Sequence, residues 1–334
     1  YDTMIRFIVK RILWMIPTVL GVLLIIFTIN ELMPGDPASA ALGTNYTEEL
    51  YQQKREEMGL NRPFLTRYAD YVVGFFTAFD LGTSYSSLRP VRTLILERIW
   101  VSIKLGLLGS VITIVFGVLI GVISAVKQYS VLDYIITVLA TFFASMPGFW
   151  LALMGIIIFA QELNWLPAAG LSSWKHYIMP VICIGITPIA LVVRMTRTSM
   201  LDVIRQDYIR TARAKGLKER TVIYRHALRN ALIPVITVIG MQLATIFGGS
   251  IIVESIYSIP GMGVLLLTAI NSRDYTTIQG TVLVLSLAVC VINLLVDIAY
   301  AMADPRIKAQ YVRIKKKKAK PQLAAAGGRG DEQA

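Results

Sequence analysis

The stretch "DYIRTARAKGLKERTVIYRHALRNALIP", from Asp207 to Pro234, is a strongly basic segment in an otherwise apolar chain. From Met200 to Lys215, good helix formers predict a short helix with one apolar face formed by residues spaced three and four apart: Leu201, Ile204, Tyr208 and Ala212. Gly216 follows, where a residue with positive φ can end the helix. A second helical run, Lys218 to Leu228, comes next, and Pro234 falls in the first turn of another apolar run. The pattern predicts a helix, a turn and a helix.

The rest of the chain has the composition of a membrane protein. Its 334 residues are 55% hydrophobic and 16% charged, and its mean hydropathy is +0.61. Soluble domains are nearer a quarter charged. A membrane-spanning helix needs roughly 20 mostly apolar residues. Runs of about this length occur at Ile12–Ile29, Ser102–Val126, Tyr134–Ala160, Tyr177–Val193, Ile233–Val253 and Ile278–Ala301. The sequence therefore predicts an all-α membrane protein with six transmembrane helices.

Helix-breaking and small residues recur within these spans. Pro147–Gly148 interrupts the third span, and Pro180 and Pro188 interrupt the fourth. Neighbouring helices or a water-filled cavity must satisfy the backbone groups that such breaks free. The second span contains small residues that suit close helix packing: Gly106, Gly109, Gly117 and Gly121.

The lysine and arginine residues predict the orientation. Arg6, Lys10 and Arg11 precede the first span, which places the N-terminus in the cytoplasm. Six crossings then place the C-terminus and the basic Arg194–Arg229 segment on the same side. The net charge of +12 therefore fits anchoring beside apolar spans rather than nucleic acid binding. A signal peptide cleaved near Ala38–Ala40 is the alternative for the first span, but the apolar run is longer than a typical signal segment, so we expect the span to be retained.

Six blocks of the sequence, in order, resemble one protein family. In the basic stretch, Thr211, Ala212 and Gly216, followed by "HALRNALIP", resemble the signature loop of ABC importer permeases, whose consensus is Glu-Ala-Ala, three residues, Gly. Thr211 stands at the consensus Glu position. Five further blocks are similar to the dipeptide, oligopeptide and nickel branch, and to the first of its two permease subunits: "LMPGDPA" (Leu32–Ala38), "DLGTSYSSLRPV" (Asp80–Val91), "SMPGFWLALM" (Ser145–Met154), "VESIYSIPGMG" (Val253–Gly263) and "ADPRI" (Ala303–Ile307). The resemblance implies a type I ABC importer transmembrane domain.

In that family the signature loop is the coupling helix, which inserts into a cleft on an ATPase subunit and transmits its movement. The resemblance therefore assigns ATPase coupling to a set of residues in this stretch: Tyr208, Arg210, Thr211, Ala212, Gly216, Leu217 and His226. Charge alone supports an alternative, a basic loop lying against anionic lipid. For His226 the alternative is a role in helix packing or capping.

A second candidate site follows the fifth span. Proline and closely spaced glycines in Ser258–Gly263 predict a tight, irregular turn rather than another crossing. The resemblance implies a re-entrant loop near the outer mouth of the pathway. We expect its gate to include Glu254, Ser258, Pro260, Gly261 and Met262, with Gly261 in a turn that only glycine readily adopts. The alternatives are a simple connector and, for Glu254, a solvated cap.

The sequence divides into four parts. Residues 1–31 hold the cytoplasmic N-terminus and first span, and 32–98 form an extracytoplasmic segment. Residues 99–304 form the transmembrane domain with the coupling segment 197–229, and 305–334 form a basic tail that low complexity predicts to be disordered and able to contact lipid. Helical spacing in the extracytoplasmic segment is shared by Tyr68, Tyr71, Phe75 and Phe76. We expect a helix packed at the membrane face, or one that docks a substrate-binding protein.

The sequence lacks the patterns of an enzyme. It has no G-x-x-x-x-G-K-[ST] phosphate loop, and its two histidines, His176 and His226, lie far apart. We therefore expect no catalytic residue, cofactor or metal site in this chain, with ATP and Mg²⁺ bound by partner subunits. The resemblance implies a permease of the prokaryotic inner membrane. Its partners would be a sibling permease, two cytoplasmic ATPases and an extracytoplasmic substrate-binding protein that delivers peptides.

Several functional alternatives stay open at this point. Within the same family, the alternatives to a peptide as the transported solute are a nickel chelate, heme and another small molecule. From other classes, the candidates are an ATP-independent secondary transporter and a membrane enzyme. A secondary transporter usually carries ionisable residues within its spans or an internal repeat. Here Asp297 is the one acidic residue well inside a predicted span, and no repeat is visible.

Overall fold

The computed structural model describes residues 2–43 and 46–303. This part of the chain forms thirteen α-helices: α1 (Asp2–Leu32), α2 (Pro37–Leu42), α3 (Glu48–Glu57), α4 (Phe64–Ala78), α5 (Val91–Val126), α6 (Val131–Ser145), α7 (Gly148–Gly155), α8 (Lys175–Ile204), α9 (Asp207–Ala214), α10 (Glu219–Thr221), α11 (Leu228–Ile256), α12 (Met262–Asn271) and α13 (Tyr275–Ala303). Two π-helical segments, Ile156–Glu162 and Val222–Ala227, extend α7 and precede α11. The predicted disordered tail lies outside the described residues.

Five of the described helices are long and apolar enough to cross a membrane: α1, α5, α8, α11 and α13. A sixth candidate is the pair α6 and α7, which bends by 99° at the predicted Pro147–Gly148 break. At its start, Asp133 bonds to Arg197 near the end of α8, whereas Ala152 of α7 belongs to the same core cluster as Met179 near the start of α8. The pair therefore runs antiparallel to α8 from one end of the bundle to the other, as one broken crossing.

α5 and α8 pack with almost no space between their surfaces. A Cβ atom on Gly109 would lie 2.6 Å from Cγ2 of Ile184, and one on Gly121 would lie 2.5 Å from Cβ of Thr196. Real Cβ atoms do not approach other atoms so closely, so these positions need glycine. The predicted role of small residues in the second span, close helix packing, is confirmed.

The segment between α1 and α5 folds back against α1. Tyr68 of α4 donates a hydrogen bond to a backbone carbonyl of α1 at 3.0 Å. The rings of Tyr68 and Tyr71 lie 5.5 and 5.4 Å from that of Phe27 in α1. Phe75 is buried in the same core, whereas Phe76 is exposed. The aromatic spacing predicted this helix correctly, and three of the four aromatic residues pack it onto the first crossing.

The second crossing begins earlier than predicted. α5 starts at Val91 rather than at Ser102. Val91, Leu94 and Ile95 are buried in the core, and this burial stabilises the added turns although polar residues lie between them. The segment that joins the first two crossings therefore ends at Pro90.

Candidate functional site

The basic stretch joins the fourth and fifth crossings. α8 ends at Ile204, a break occurs at Arg205–Gln206, and α9 begins at Asp207. Gln206 has extended backbone angles, φ −72° and ψ 150°, so the helical phase is lost there. The single helix predicted from Met200 to Lys215 is therefore wrong, because its first residues belong to α8.

α9 turns its apolar side towards its own bundle. Ile209 and Ala212 are buried in a cluster formed with α5, α8, the second π-helical segment and α11: Val122, Ala125, Met200, Val222, Ile223, Ala227 and Ala231. Leu201 and Ile204 pack against this cluster from the end of α8. Tyr208, which the spacing placed on the apolar stripe, is 43% exposed instead. The loss of phase at the break explains the error, because it makes Ile209 rather than Tyr208 the inward residue.

The other side of α9 and the turn after it are exposed. This surface carries five of the predicted coupling residues: Tyr208, Arg210, Thr211, Gly216 and Leu217. Leu217 presents an apolar side chain between exposed Lys215 and Lys218. Ala212 instead faces the bundle, and half-buried His226 lies in the second π-helical segment. The structure thus offers a cationic surface with an apolar centre.

The turn after α9 is held by its backbone conformation and one ion pair. Gly216 has φ +75°, as predicted, and its N–H donates to the Arg213 carbonyl at 2.9 Å. The Arg213 guanidinium makes two hydrogen bonds to Glu219, at 2.7 and 3.1 Å, across the turn. These bonds raise the pKa of Arg213 above its ordinary value. A Cβ atom on Gly216 would have no atom of the described residues within 4 Å, so packing does not impose the turn.

The second helical run is continuous with the fifth crossing. α10 begins at Glu219, close to the predicted Lys218, and leads through the π-helical segment into α11. Pro234 lies inside α11 rather than in its first turn, so that part of the prediction is wrong. Because α9 is joined to α8 and α11 by such short links, a displacement of α9 moves the ends of both crossings.

The sequence did not predict an ion pair at this end of the bundle, in which the carboxylate is buried. Asp133, whose side chain is 6% exposed, accepts hydrogen bonds from Nε and Nη2 of Arg197 at 2.8 and 2.7 Å and a third from Ser124. These contacts join α6 to the ends of α5 and α8. The sequence feature that points to Asp133 is Ser130, three residues earlier. Ser130 caps α6, and its hydroxyl accepts a hydrogen bond from the Asp133 N–H at 3.3 Å. This capping pattern predicts where α6 begins, but it does not predict that Asp133 pairs with Arg197.

At the opposite end, a tight turn joins α11 to α12. Ser258 has φ +50°, and the Gly261 N–H donates to the Ile259 carbonyl at 2.7 Å. Gly261 itself has φ −100°, a conformation open to other residues. The prediction that this position needs a conformation special to glycine is therefore wrong.

Lack of space, rather than conformation, requires glycine at position 261. A Cβ atom on Gly261 would lie 2.3 Å from Oε2 of Glu254 and 2.7 Å from Oγ of Ser102. Glu254 is fully buried and accepts hydrogen bonds from Ser102 at 2.6 Å and from the Gly263 N–H at 2.7 Å. The start of α12 is a favourable place for a carboxyl group. Glu254 is thus a helix cap, as one alternative held, but a buried one rather than a solvated one.

The predicted gate residues fall into two groups. Ser258 and Pro260 are exposed, whereas Glu254, Gly261 and Met262 are buried. Met262 packs in a core shared with α1, α5 and α13. α12 has 10 residues, so it is about 15 Å long and too short to cross a bilayer. It enters the bundle without crossing, as expected from the turn pattern.

A second hydrogen-bond network holds the segment between α1 and α5 to this same end of the bundle. Buried Asp274 accepts hydrogen bonds from Ser84 at 2.5 Å, from Ser86 at 3.1 Å and from Thr277 at 2.8 Å. The two serines belong to the block "DLGTSYSSLRPV", and Asp274 stands at the start of α13. The sequence did not reveal this partnership, because its members are far apart in the chain.

Two family models match most of the chain. Residues 117–309 match the binding-protein-dependent transport system inner membrane component, and residues 4–106 match the N-terminal model of the same membrane component. The chain belongs to this family. The family and the several long apolar helices show that this chain is a multi-pass protein of the inner membrane.

Curated relatives match this inner membrane component along their full length. The dipeptide transport system permease protein DppB of Alkalihalophilus pseudofirmus is 41% identical, with 91% of this chain and 100% of the relative covered. The glutathione transport system permease protein GsiC of Pectobacterium atrosepticum is 40% identical, with 91% and 99% covered.

A solved structure supports the fold. The MetNI methionine ABC transporter, in an inward-facing conformation, matches with a TM-score of 0.56 at 17% identity, over 64% of this chain and 97% of that chain. The predicted all-α fold of an ABC importer transmembrane domain is confirmed. The family match, the relatives and the fold together show that this chain is a permease subunit of an ABC importer. These findings disfavour the two alternatives from other classes, a secondary transporter and a membrane enzyme. Asp297, the acidic residue inside a predicted span, forms an ion pair with Arg11 at 3.1 Å.

Proposed function

We propose that this chain forms one half of a peptide pathway in an ATP-driven importer. The observation that carries the proposal is full-length similarity, at 41% and 40% identity, to permeases named for a dipeptide and for glutathione, which is a tripeptide. These names favour peptides over a nickel chelate or heme. A sibling permease completes the pathway, a substrate-binding protein delivers the peptide, and two ATPases bind ATP and Mg²⁺.

The exposed side of α9, together with the turn after it, is the surface that we propose for the ATPase contact. Its apolar centre at Leu217 suits a cleft, and the lysines around it suit an acidic rim. Ile209 and Ala212 hold α9 to the ends of α5 and α8, so a push on α9 reaches the crossings as a displacement rather than as local unfolding. This end of the bundle faces the cytoplasm in our proposal, because its arginines and lysines follow the positive-inside rule, and we propose the same side of the membrane for both termini.

The turn at Ser258–Gly263 and α12 form the outer gate in the same proposal. Its support is that Glu254 ties the start of α12 to both α11 and α5. A movement of α11 relative to α5 therefore has to carry α12 along or break these bonds. Both outcomes change the outer end of the bundle.

Transport by the complete complex tests the proposal. The two permeases and two ATPases are reconstituted in vesicles, and binding protein loaded with labelled dipeptide is added on the side opposite the ATPases. We expect the dipeptide to accumulate only with ATP, and labelled glutathione serves as a second cargo. Accumulation driven by an ion gradient without ATP would indicate a secondary transporter. ATP-driven uptake of nickel or heme without peptide would refute the substrate class.

A further inference from the structure

A cavity opens on the side of the bundle between α7, α8 and α11. Its volume is about 270 Å³. Ile184 and Ile246 are buried at its floor, and Phe149, Thr187 and Thr245 are exposed at its mouth. The cavity is thus accessible from the bundle surface and is walled by three different helices.

The cavity lies near the middle of two crossings. Pro188 and Gln242, which both line it, stand close to the midpoints of the 30-residue α8 and the 29-residue α11. At this depth lipid offers no hydrogen bonds, so a face carrying the half-buried amide of Gln242 is unfavourable against lipid. Thr187 and Thr245 already donate to carbonyls of their own helices. Polar groups at membrane depth normally face a water-filled space or a protein partner. The position of this face therefore indicates one of those two environments.

The cavity also collects backbone and side-chain groups without hydrogen-bond partners. The Gln242 amide makes no side-chain hydrogen bond to any residue that the structure describes. Pro188 has no N–H, so the Ile184 carbonyl lacks its helical donor. α7 starts at the cavity without a side-chain cap, so the N–H groups of Gly148 and Phe149 lack partners within the helix. Donors and acceptors therefore coexist here, and every residue lining the cavity is uncharged.

We propose that this cavity is the chain's half of a mid-membrane resting site for the main chain of the transported peptide. The inference rests on the proposed function and adds the location and the mode of recognition. A peptide bond presents one donor and one acceptor, which matches the neutral groups of the cavity, and the apolar walls accept side chains of varied shape. Complete small-molecule sites occupy about 300–1,000 Å³. A volume of 270 Å³ is just below that range, as expected of a site whose second half comes from the sibling permease.

Removal of the free amide is the first test. Gln242→Leu is compared with Asn293→Leu, which removes an exposed amide from α13 outside the cavity. At limiting substrate, the loss of one neutral hydrogen bond should lower dipeptide uptake about 3- to 10-fold for Gln242→Leu. Complex yield should stay at the wild-type level. Equal uptake by the two variants, whether normal or reduced, would overturn the inference.

Cysteine labelling is the second test, in a complex lacking Cys183 and Cys290. Thr187→Cys lies at the mouth of the cavity, and Ile182→Cys is a control on α8 that is exposed outside it. A polar thiol reagent should modify Thr187→Cys faster, and dipeptide with loaded binding protein should slow that reaction. Equally slow labelling of both would mean a lipid-facing surface and would overturn the inference. Fast labelling that dipeptide leaves unchanged would overturn it too.

The two proposals fail in different ways. If the wild-type complex imports no dipeptide, the proposed function is wrong and the cavity assignment falls with it. If wild-type import is normal and Gln242→Leu matches it, only the cavity assignment is wrong.

Discussion

Gly216→Val is expected to disrupt transport without preventing assembly of the permease. Gly216 has φ +75°, and no atom of the described residues lies within 4 Å of where its Cβ would be. The valine side chain therefore meets no clash, and the cost is the backbone strain of a β-branched residue in the left-handed region. That cost is about 1–2 kcal/mol. It is small for a protein with six crossings, so the complex should still insert and be recovered.

The same strain is large for a turn that must keep one geometry. A change of 1–2 kcal/mol shifts an equilibrium about 5- to 30-fold. Relaxation of residue 216 to negative φ would separate Arg213 from Glu219, which are 2.7 Å apart, and would reorient α9. We therefore expect uptake to fall by up to about 5- to 30-fold. The ATPases should either be lost from the complex or hydrolyse ATP without transport.

The assay measures dipeptide uptake per purified complex, together with ATPase recovery and ATP hydrolysis. Gly216→Asn is a matched variant, because asparagine tolerates positive φ better than valine, and it should retain more uptake. Lys218→Ala removes a charge from the same surface while leaving the backbone geometry, and it should have much less effect. If Gly216→Val and Lys218→Ala reduce uptake equally, charge rather than helix geometry is what the segment provides, and the coupling mechanism is refuted.

Three further predictions concern the ends of the bundle. Gly261→Ala should lower the thermal midpoint of the purified complex, because the new methyl group collides with the Glu254 carboxylate; an unchanged midpoint would show that the carboxylate moves aside freely. Asp133→Ala should reduce the free energy of unfolding by about 1–3 kcal/mol, since it leaves the partly exposed Arg197 without its buried hydrogen-bond partner. Adding Arg197→Met should recover part of that loss, and strictly additive losses in denaturant unfolding would contradict the pairing. Finally, Lys218→Cys should react with an impermeant thiol reagent only from the cytoplasmic side, and labelling from outside intact cells would reverse the orientation.

The crossings could be predicted because bilayer thickness sets a minimum length for an apolar helix. The Pro147 break was also predictable, since proline disrupts the preceding turn wherever it occurs. The start of α5 was not, because its extra turns are stabilised by burial of Leu94 and Ile95 against other elements. Hydropathy averaged along the chain does not register burial on one face.

The candidate sites show the same division between local and tertiary causes. The positive φ of Gly216 follows from local helix-ending chemistry and was predicted. The inward face of α9 was not, because it depends on a break at Gln206, a residue that is not a preferred N-cap. The role of Gly261 was misassigned for a related reason. Its constraint comes from Glu254 and Ser102, and only the folded chain brings Ser102 next to this turn.

α11 connects the three proposed working parts of this chain. Its first turns follow the coupling turn, Gln242 near its middle lines the cavity, and Glu254 near its end caps α12. A Cβ atom on Gly240 would lie 2.0 Å from Cγ1 of Val296, so α11 and α13 are in close contact and cannot slide past each other freely. A continuous helix of 29 residues is about 44 Å long, which exceeds the hydrocarbon thickness of a bilayer. A tilt of this helix driven from α9 would therefore alter the cavity and the outer turn in the same movement, without a separate signal between them.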